Sequence, residues 1–97
     1  MPITLTPRER AQLKARAHAL EPVVQVGHAG LSESVAAELE RALTAHELIK
    51  VRIGADREAR AELAAAICAR TGAAQVQSVG KVLVLFRPSP DDEPAGD

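Results

Sequence analysis

The chain has 97 residues, 46% of them hydrophobic and 26% charged, with twelve Lys or Arg against thirteen Asp or Glu and a formal net charge of −1. That length fits one domain able to bury roughly 60–65% of its unfolded surface without staples. The single cysteine, Cys68, excludes an intramolecular disulfide and a cysteine-built zinc cluster, and no run approaches the roughly 18 apolar residues of a bilayer span.

Thr6-Pro7-Arg8-Glu9 spells a capping box, with Thr6 at the N-cap, Pro7 at the first helical position and Glu9 reaching back, so a first helix is predicted over about residues 7–19. Its apolar stripe is Leu13, Ala17 and Leu20, flanked by a cationic stripe of Arg10, Lys14 and His18. Glu21-Pro22 ends it, because a residue before proline is pushed to extended geometry, and Val23 to Val26 follows as a strand. After the loop Gly27-His28-Ala29-Gly30, Ser32 caps a second helix to about Ala45. Val35, Leu39, Ala42 and Leu43 face inward there, and Glu33, Glu40 and Glu47 form an outer stripe in water. Leu48 to Ile53 alternates as a strand, with Ile49, Val51 and Ile53 covered and Lys50 and Arg52 on the open face.

Asp56 caps a third helix over about 57–70, with Ala59, Leu63, Ala66 and Ile67 as core positions and Gly72 as its left-handed stop. A strand near 75–79, a two-residue turn at Gly80-Lys81 and the apolar run Val82 to Arg87, read as an interior strand, complete the order. Residues 1–88 are then a single domain, and 89–97, which follow the break at Pro88, are expected to be a disordered acidic tail. Right-handed crossovers make the first three strands parallel and the turn returns the fourth antiparallel. The expected fold class is α+β, a mixed four-stranded sheet in a two-layer α/β arrangement with helices mainly on one side.

Charge is distributed unevenly along this order. Residues 88–97 hold Asp91, Asp92, Glu93 and Asp97 with no Lys or Arg, which leaves residues 1–87 at +3. The stretch 31–48 takes four glutamates against Arg41, so the rest of the body is strongly basic and suits a polyanionic partner on one face. The glycine loop fits that partner. Two glycines remove Cβ atoms where a backbone must approach closely, and a helix N-terminus behind them offers unpaired N–H groups and a positive dipole end. Taken alone, the same tetrapeptide is more often an ordinary strand-to-helix turn.

Converging nucleophiles, paired carboxylates and metal-ligand clusters are missing, which argues against an enzyme, a cofactor or a small-molecule substrate. His46 is expected inside with Leu39 and Leu43 as a structural histidine, and Cys68 as an inert thiol. Phe86 is the sole aromatic, so base stacking on an aromatic platform cannot be the main mode. Recognition would rest on phosphates and shape, through Gly27, His28, Ala29 and Gly30 with Arg10, Lys14, His18, Lys50, Arg52, Lys81 and Arg87.

His18-Ala19-Leu20-Glu21-Pro22-Val23-Val24, the loop Gly27 to Gly30 with Leu31, His46-Glu47-Leu48-Ile49-Lys50-Val51 and Gly80 to Pro88 together resemble the CRM (chloroplast RNA splicing and ribosome maturation) RNA-binding domain, in its bacterial stand-alone, YhbY-type form. The resemblance runs over about residues 5–88. It implies a fold similar to the C-terminal domain of translation initiation factor three, and RNA binding through the GxxG loop and the adjacent basic face. It also implies association with large-subunit precursor rRNA in ribosome assembly. The chain departs from the family pattern at three positions: Glu21 stands where lysine is frequent, and His28 and Ala29 stand in a loop interior that often includes a basic or polar residue. Binding should therefore tighten as the pH falls toward about 6 and His28 gains charge. The working expectation is a cytoplasmic monomer that contacts no membrane, with a protein-interaction module lacking direct RNA contact as the alternative.

Overall fold

The computed structural model describes residues 5–27 and 29–88, so the loop's His28 and the expected tail at 89–97 lie outside the described residues. Its elements are α1 (Pro7–Ala17), β1 (Pro22–Val26), α2 (Glu33–His46), β2 (Leu48–Ile53), α3 (Arg57–Thr71), β3 (Ala74–Val79) and β4 (Val82–Phe86). Local chemistry sets the helix starts. The Thr6 hydroxyl accepts from the Glu9 amide at 3.1 Å while Glu9 Oε1 accepts from the Thr6 amide at 2.9 Å. Ser32 and Asp56 cap α2 and α3 in the same way, through the amides of Val35 and Ala59. At the other ends, Gly72 closes α3 at φ 75°, while Glu47 closes α2 at φ 65° and leads into β2 with no intervening loop.

The sheet order is β1-β2-β4-β3. β1 runs parallel to β2, with Val24 beside Val51 and Val26 beside Ile53. β4 lies antiparallel to both β2 and β3, which makes β1, β2 and β3 co-directional as the crossover rule requires. The apolar run of β4 is interior because both its edges are paired; Leu83, Val84 and Leu85 are all buried.

One face of the sheet, carrying Val24, Val26, Ile49, Val51, Ile53, Leu83 and Leu85, packs on Leu39 and Leu43 of α2 and Ile67 of α3. Each fully buried Leu or Ile there contributes about 1.5–3 kcal/mol relative to exposure. The other face carries a second cluster, in which Leu13 and Ala17 of α1 cover Leu48, Val76 and Val84. Two helices therefore sit on the expected side and α1 forms a partial third layer. The cause lies in β2 and β4: Leu48 and Val84 are apolar on the face that also bears Lys50, and α1 removes them from water.

Two further expectations shift. On α3 the buried residues are Ala64, Ile67 and Thr71, while Leu63 is half-buried and Ala66 exposed. The run Ala64-Ala65-Ala66 carries too little difference in side chain to fix the helix phase, so packing sets it. His46 is exposed at the last turn of α2 and is not inside. Ile49, three residues on, packs with Leu39 and Leu43 in the core, while Leu48 joins the cluster under α1 on the other face.

Candidate functional site

Three connections meet at one end of the sheet, where β1, β2 and β3 end and β4 begins. They are the glycine loop after β1, Gly54-Ala55-Asp56 after β2, and the Gly80-Lys81 turn before β4. Backbone bonds tie them together. The Gly54 amide donates to the Val26 carbonyl at 3.0 Å, and the Ile53 amide donates to the Lys81 carbonyl at 2.7 Å. Arg60 Nη1 donates to the Ala55 carbonyl at 2.7 Å and so pins the middle connection to α3. Between them opens a groove of about 950 Å³, whose lining includes Gly27, Gly30, Asp56, Leu63 and Lys81.

The glycine loop is a tight turn in which the Gly30 amide donates to the Gly27 carbonyl at 3.0 Å and the Ser32 amide donates to the Gly30 carbonyl at 3.0 Å. Its two glycines differ physically. Gly30 stands at φ +70°, where an L side chain is strained. Gly27 is outside the left-handed region, and a Cβ there would meet nothing within 4 Å. Nothing in the described fold demands a glycine at 27, and its bare backbone faces the groove. In the first turn of α2 the Ser32 side chain and carbonyl take the Val35 and Ala36 amides, leaving those of Glu33 and Ser34 for solvent or a ligand.

The structure gathers part of the expected basic set at this end. Lys81 is exposed in the turn, and Arg52 is exposed on β2, in register with Gln25 on one side and Val82 on the other. Lys50 lies further along the same face and is half-buried, its Nζ donating to the Leu20 carbonyl at 3.0 Å. Arg10 acts inside the fold. Its guanidinium donates to the carbonyls of Gln75 and Val76, where the β3–β4 register slips, and so joins α1 to an edge strand. Lys14 is half-buried beside it and His18 is exposed at the C-cap of α1.

Arg87 is not brought to the loop. It follows β4 at the opposite end of the sheet and donates to Glu40 Oε1 at 2.9 Å, to the Thr71 carbonyl at 2.8 Å and to Thr44 Oγ1 at 3.3 Å. Its terminal carbon chain and charge bind α2 to the end of α3. The acidic stripe of α2 is engaged similarly through Glu33, which pairs with Arg70 at 2.8 Å and raises that guanidinium's pKa. Burial pushes the Cys68 thiol up, in keeping with an inert side chain. Among the described residues no group of three His, Cys, Asp or Glu side chains could hold a metal ion, and no helix is long and apolar enough to cross a membrane. Two arginines that the apolar stripe of α3 does not point to, Arg57 and Arg60, also stand at this end of the sheet; their signal in the sequence is their position directly behind the Gly54 connection.

A mixed sheet of this order, with a glycine turn feeding a capped helix beside a basic strand end, defines a class of small α+β domains built around one loop-bearing edge. The chain belongs to the CRS1/YhbY (CRM) domain family, whose model matches residues 5–87. It is 53% identical over 87 residues to an RNA-binding protein of Haemophilus influenzae, covering 89% of this chain and 88% of that protein. It is 44% identical over 89 residues to a Pseudomonas aeruginosa protein named a probable RNA-binding protein, covering 91% and 86%. Among solved structures, a hypothetical Staphylococcus aureus protein described as a candidate RNA-binding protein superposes with a TM-score of 0.80 at 28% identity, covering 93% of this chain and 95% of that one.

Proposed function

We propose that the protein binds RNA without catalysing a reaction, gripping backbone phosphates at the loop of Gly27, His28, Ala29 and Gly30, and that it serves in assembly of the large ribosomal subunit on precursor rRNA. The observation that carries the reading is Gly27, a glycine with open space around its missing Cβ, set in a groove beside Lys81 and close to a helix N-terminus. Relatives named as RNA-binding proteins support the choice of polyanion. Arg52 and Lys81 supply attraction at the loop, Lys50, Lys14 and His18 extend it along the α1 side, and Arg10 and Arg87 hold the elements in place. The protein works as a cytoplasmic monomer in this reading.

The test is a gel-shift titration of wild-type protein and Gly27→Asp with precursor large-subunit rRNA, a messenger RNA control and varied salt. A phosphate grip predicts that Gly27→Asp weakens binding at least tenfold with an unchanged melting temperature, and that log affinity falls linearly with log salt at roughly 0.7–0.9 per neutralised phosphate. Unchanged affinity in the variant would remove the loop from the mechanism. A salt-insensitive interaction would favour docking on a protein partner, and equal affinity for messenger RNA would separate RNA binding from ribosome assembly.

A further inference from the structure

Arg57 and Arg60 break two local rules at once. They occupy the first turn of α3, the positive end of a helix dipole, and stand three residues apart, where like charges on a helix repel. Neither forms an ion pair among the described residues. Asp56, whose Oδ1 accepts from the Ala59 amide, and Glu62 line the neighbouring groove together with Arg60, but among the described residues neither carboxylate pairs with Arg57 or Arg60. Both arginines line a cleft of about 530 Å³ between α3 and the β3–β4 turn, whose lining is completed by Ala61, Ala64, Gln75, Ser78 and Gly80. Among the described residues no carboxylate lines it. Arg60 also lines the groove that holds Gly27 and Lys81, so the two depressions share a wall.

We propose that this cleft is a second phosphate site, in which Arg57 and Arg60, with Ser78 and Gln75 as hydrogen-bonding neighbours, take the phosphodiester groups that follow those seated at the glycine loop. The inference rests on the RNA-binding reading for its ligand and extends it, because it directs the strand across the start of α3 toward β3 and away from Arg87. A bound anion removes the repulsion that the fold leaves in place, and two guanidinium groups without an ion-pair partner, in a cleft whose lining holds no described carboxylate, are suited to it. Local stability is given up where the ligand restores it, as at other sites where a sequence breaks a local rule.

Arg57 is the residue to change first, because Arg60 also holds the Ala55 carbonyl. The experiment pairs fluorescence-anisotropy salt titrations on structured RNA with amide NMR titrations using inorganic tripolyphosphate, on the full chain and on Arg57→Gln and Gly27→Asp. The expected result is a three- to tenfold loss of RNA affinity in Arg57→Gln, with the log–log salt slope reduced by about 0.7–0.9. Its melting temperature should be unchanged or raised. Tripolyphosphate should give saturable shifts at the Arg57, Ser78 and Gly80 amides that Arg57→Gln abolishes. RNA affinity and slope unaltered in Arg57→Gln but reduced in Gly27→Asp would overturn the second site and spare the loop. If the wild type bound no RNA yet tripolyphosphate still shifted those amides, the cleft would stand and the RNA reading would fall; amides unmoved by tripolyphosphate would overturn the cleft.

Discussion

The two loop glycines should respond oppositely to the same substitution, and the structure supplies the magnitude. At Gly30, φ +70° puts an L-alanine in the left-handed region, at a cost of about 1–2 kcal/mol. Space is not the obstacle, since the new Cβ would lie 3.5 Å from Leu63 Cδ2, an ordinary contact. At Gly27 the backbone is outside that region and the Cβ meets nothing within 4 Å, so alanine removes unfolded-state freedom at no native cost and stabilises by about 0.4–1 kcal/mol. For a domain of this size 1 kcal/mol moves the melting temperature by about 4–8 °C. Gly30→Ala should then melt roughly 4–16 °C below wild type, and Gly27→Ala at or a few degrees above it. Thermal unfolding by circular dichroism decides. Equal destabilisation of the two variants would show that Gly27 serves the fold, and the argument that its bare backbone is kept for a ligand would fail.

Arg87→Met should lower stability by about 1–3 kcal/mol, since it orphans the Thr71 carbonyl and breaks a half-shielded pair with Glu40, yet leave RNA affinity within twofold; urea unfolding and anisotropy check both halves. Leu39→Ala, at a fully buried position under β1 and β2, should cost about 2–5 kcal/mol by the same unfolding measurement. Burial raises the Cys68 pKa, so the thiolate fraction at neutral pH falls below that of an exposed cysteine; Ellman's reagent should label native protein far more slowly than protein in urea, and equal rates would contradict the burial.

Most of the architecture was legible because its signals are local. The Thr6, Ser32 and Asp56 caps, the Gly72 stop and the β2 alternation each state an element end or a face in a few residues, and the structure places them accordingly. What stayed hidden was relative placement. The alanine-rich α3 does not encode which side it buries. The apolar residues of α1 do not say which sheet face they will cover. The site meets the same limit: the seven basic residues divide between an exposed pair near the loop, Lys14, His18 and Lys50 on the α1 side, and the internal fasteners Arg10 and Arg87. Charge sign is written in the sequence, whereas whether a charge already has a carbonyl or carboxylate partner depends on residues as far as 66 positions away, as for Arg10 and Val76.

The net charge of −1 conceals how the fold spends its cations. Glu33 and Glu40 on α2 engage Arg70 and Arg87, and the carbonyls of Leu20, Gln75 and Val76 occupy Lys50 and Arg10. Among the described residues, the basic side chains near this end of the sheet without such partners are Arg52, Arg57 and Lys81. A six-residue strand such as β2 spans about 20 Å, and the Debye length at physiological salt is about 8 Å, so the Glu40–Arg87 pair at the far end of the sheet is separated from the loop by more than two screening lengths. A phosphate approaching the loop meets those three cations and the adjacent amides together with the carboxylates of Asp56 and Glu62, which line the same groove, while the Glu40–Arg87 pair is largely screened. A chain that is weakly acidic as a whole can in this way keep cations for a polyanion at the loop edge, because Glu33 and Glu40 are matched by Arg70 and Arg87 and the second of these pairs lies at the far end of the sheet.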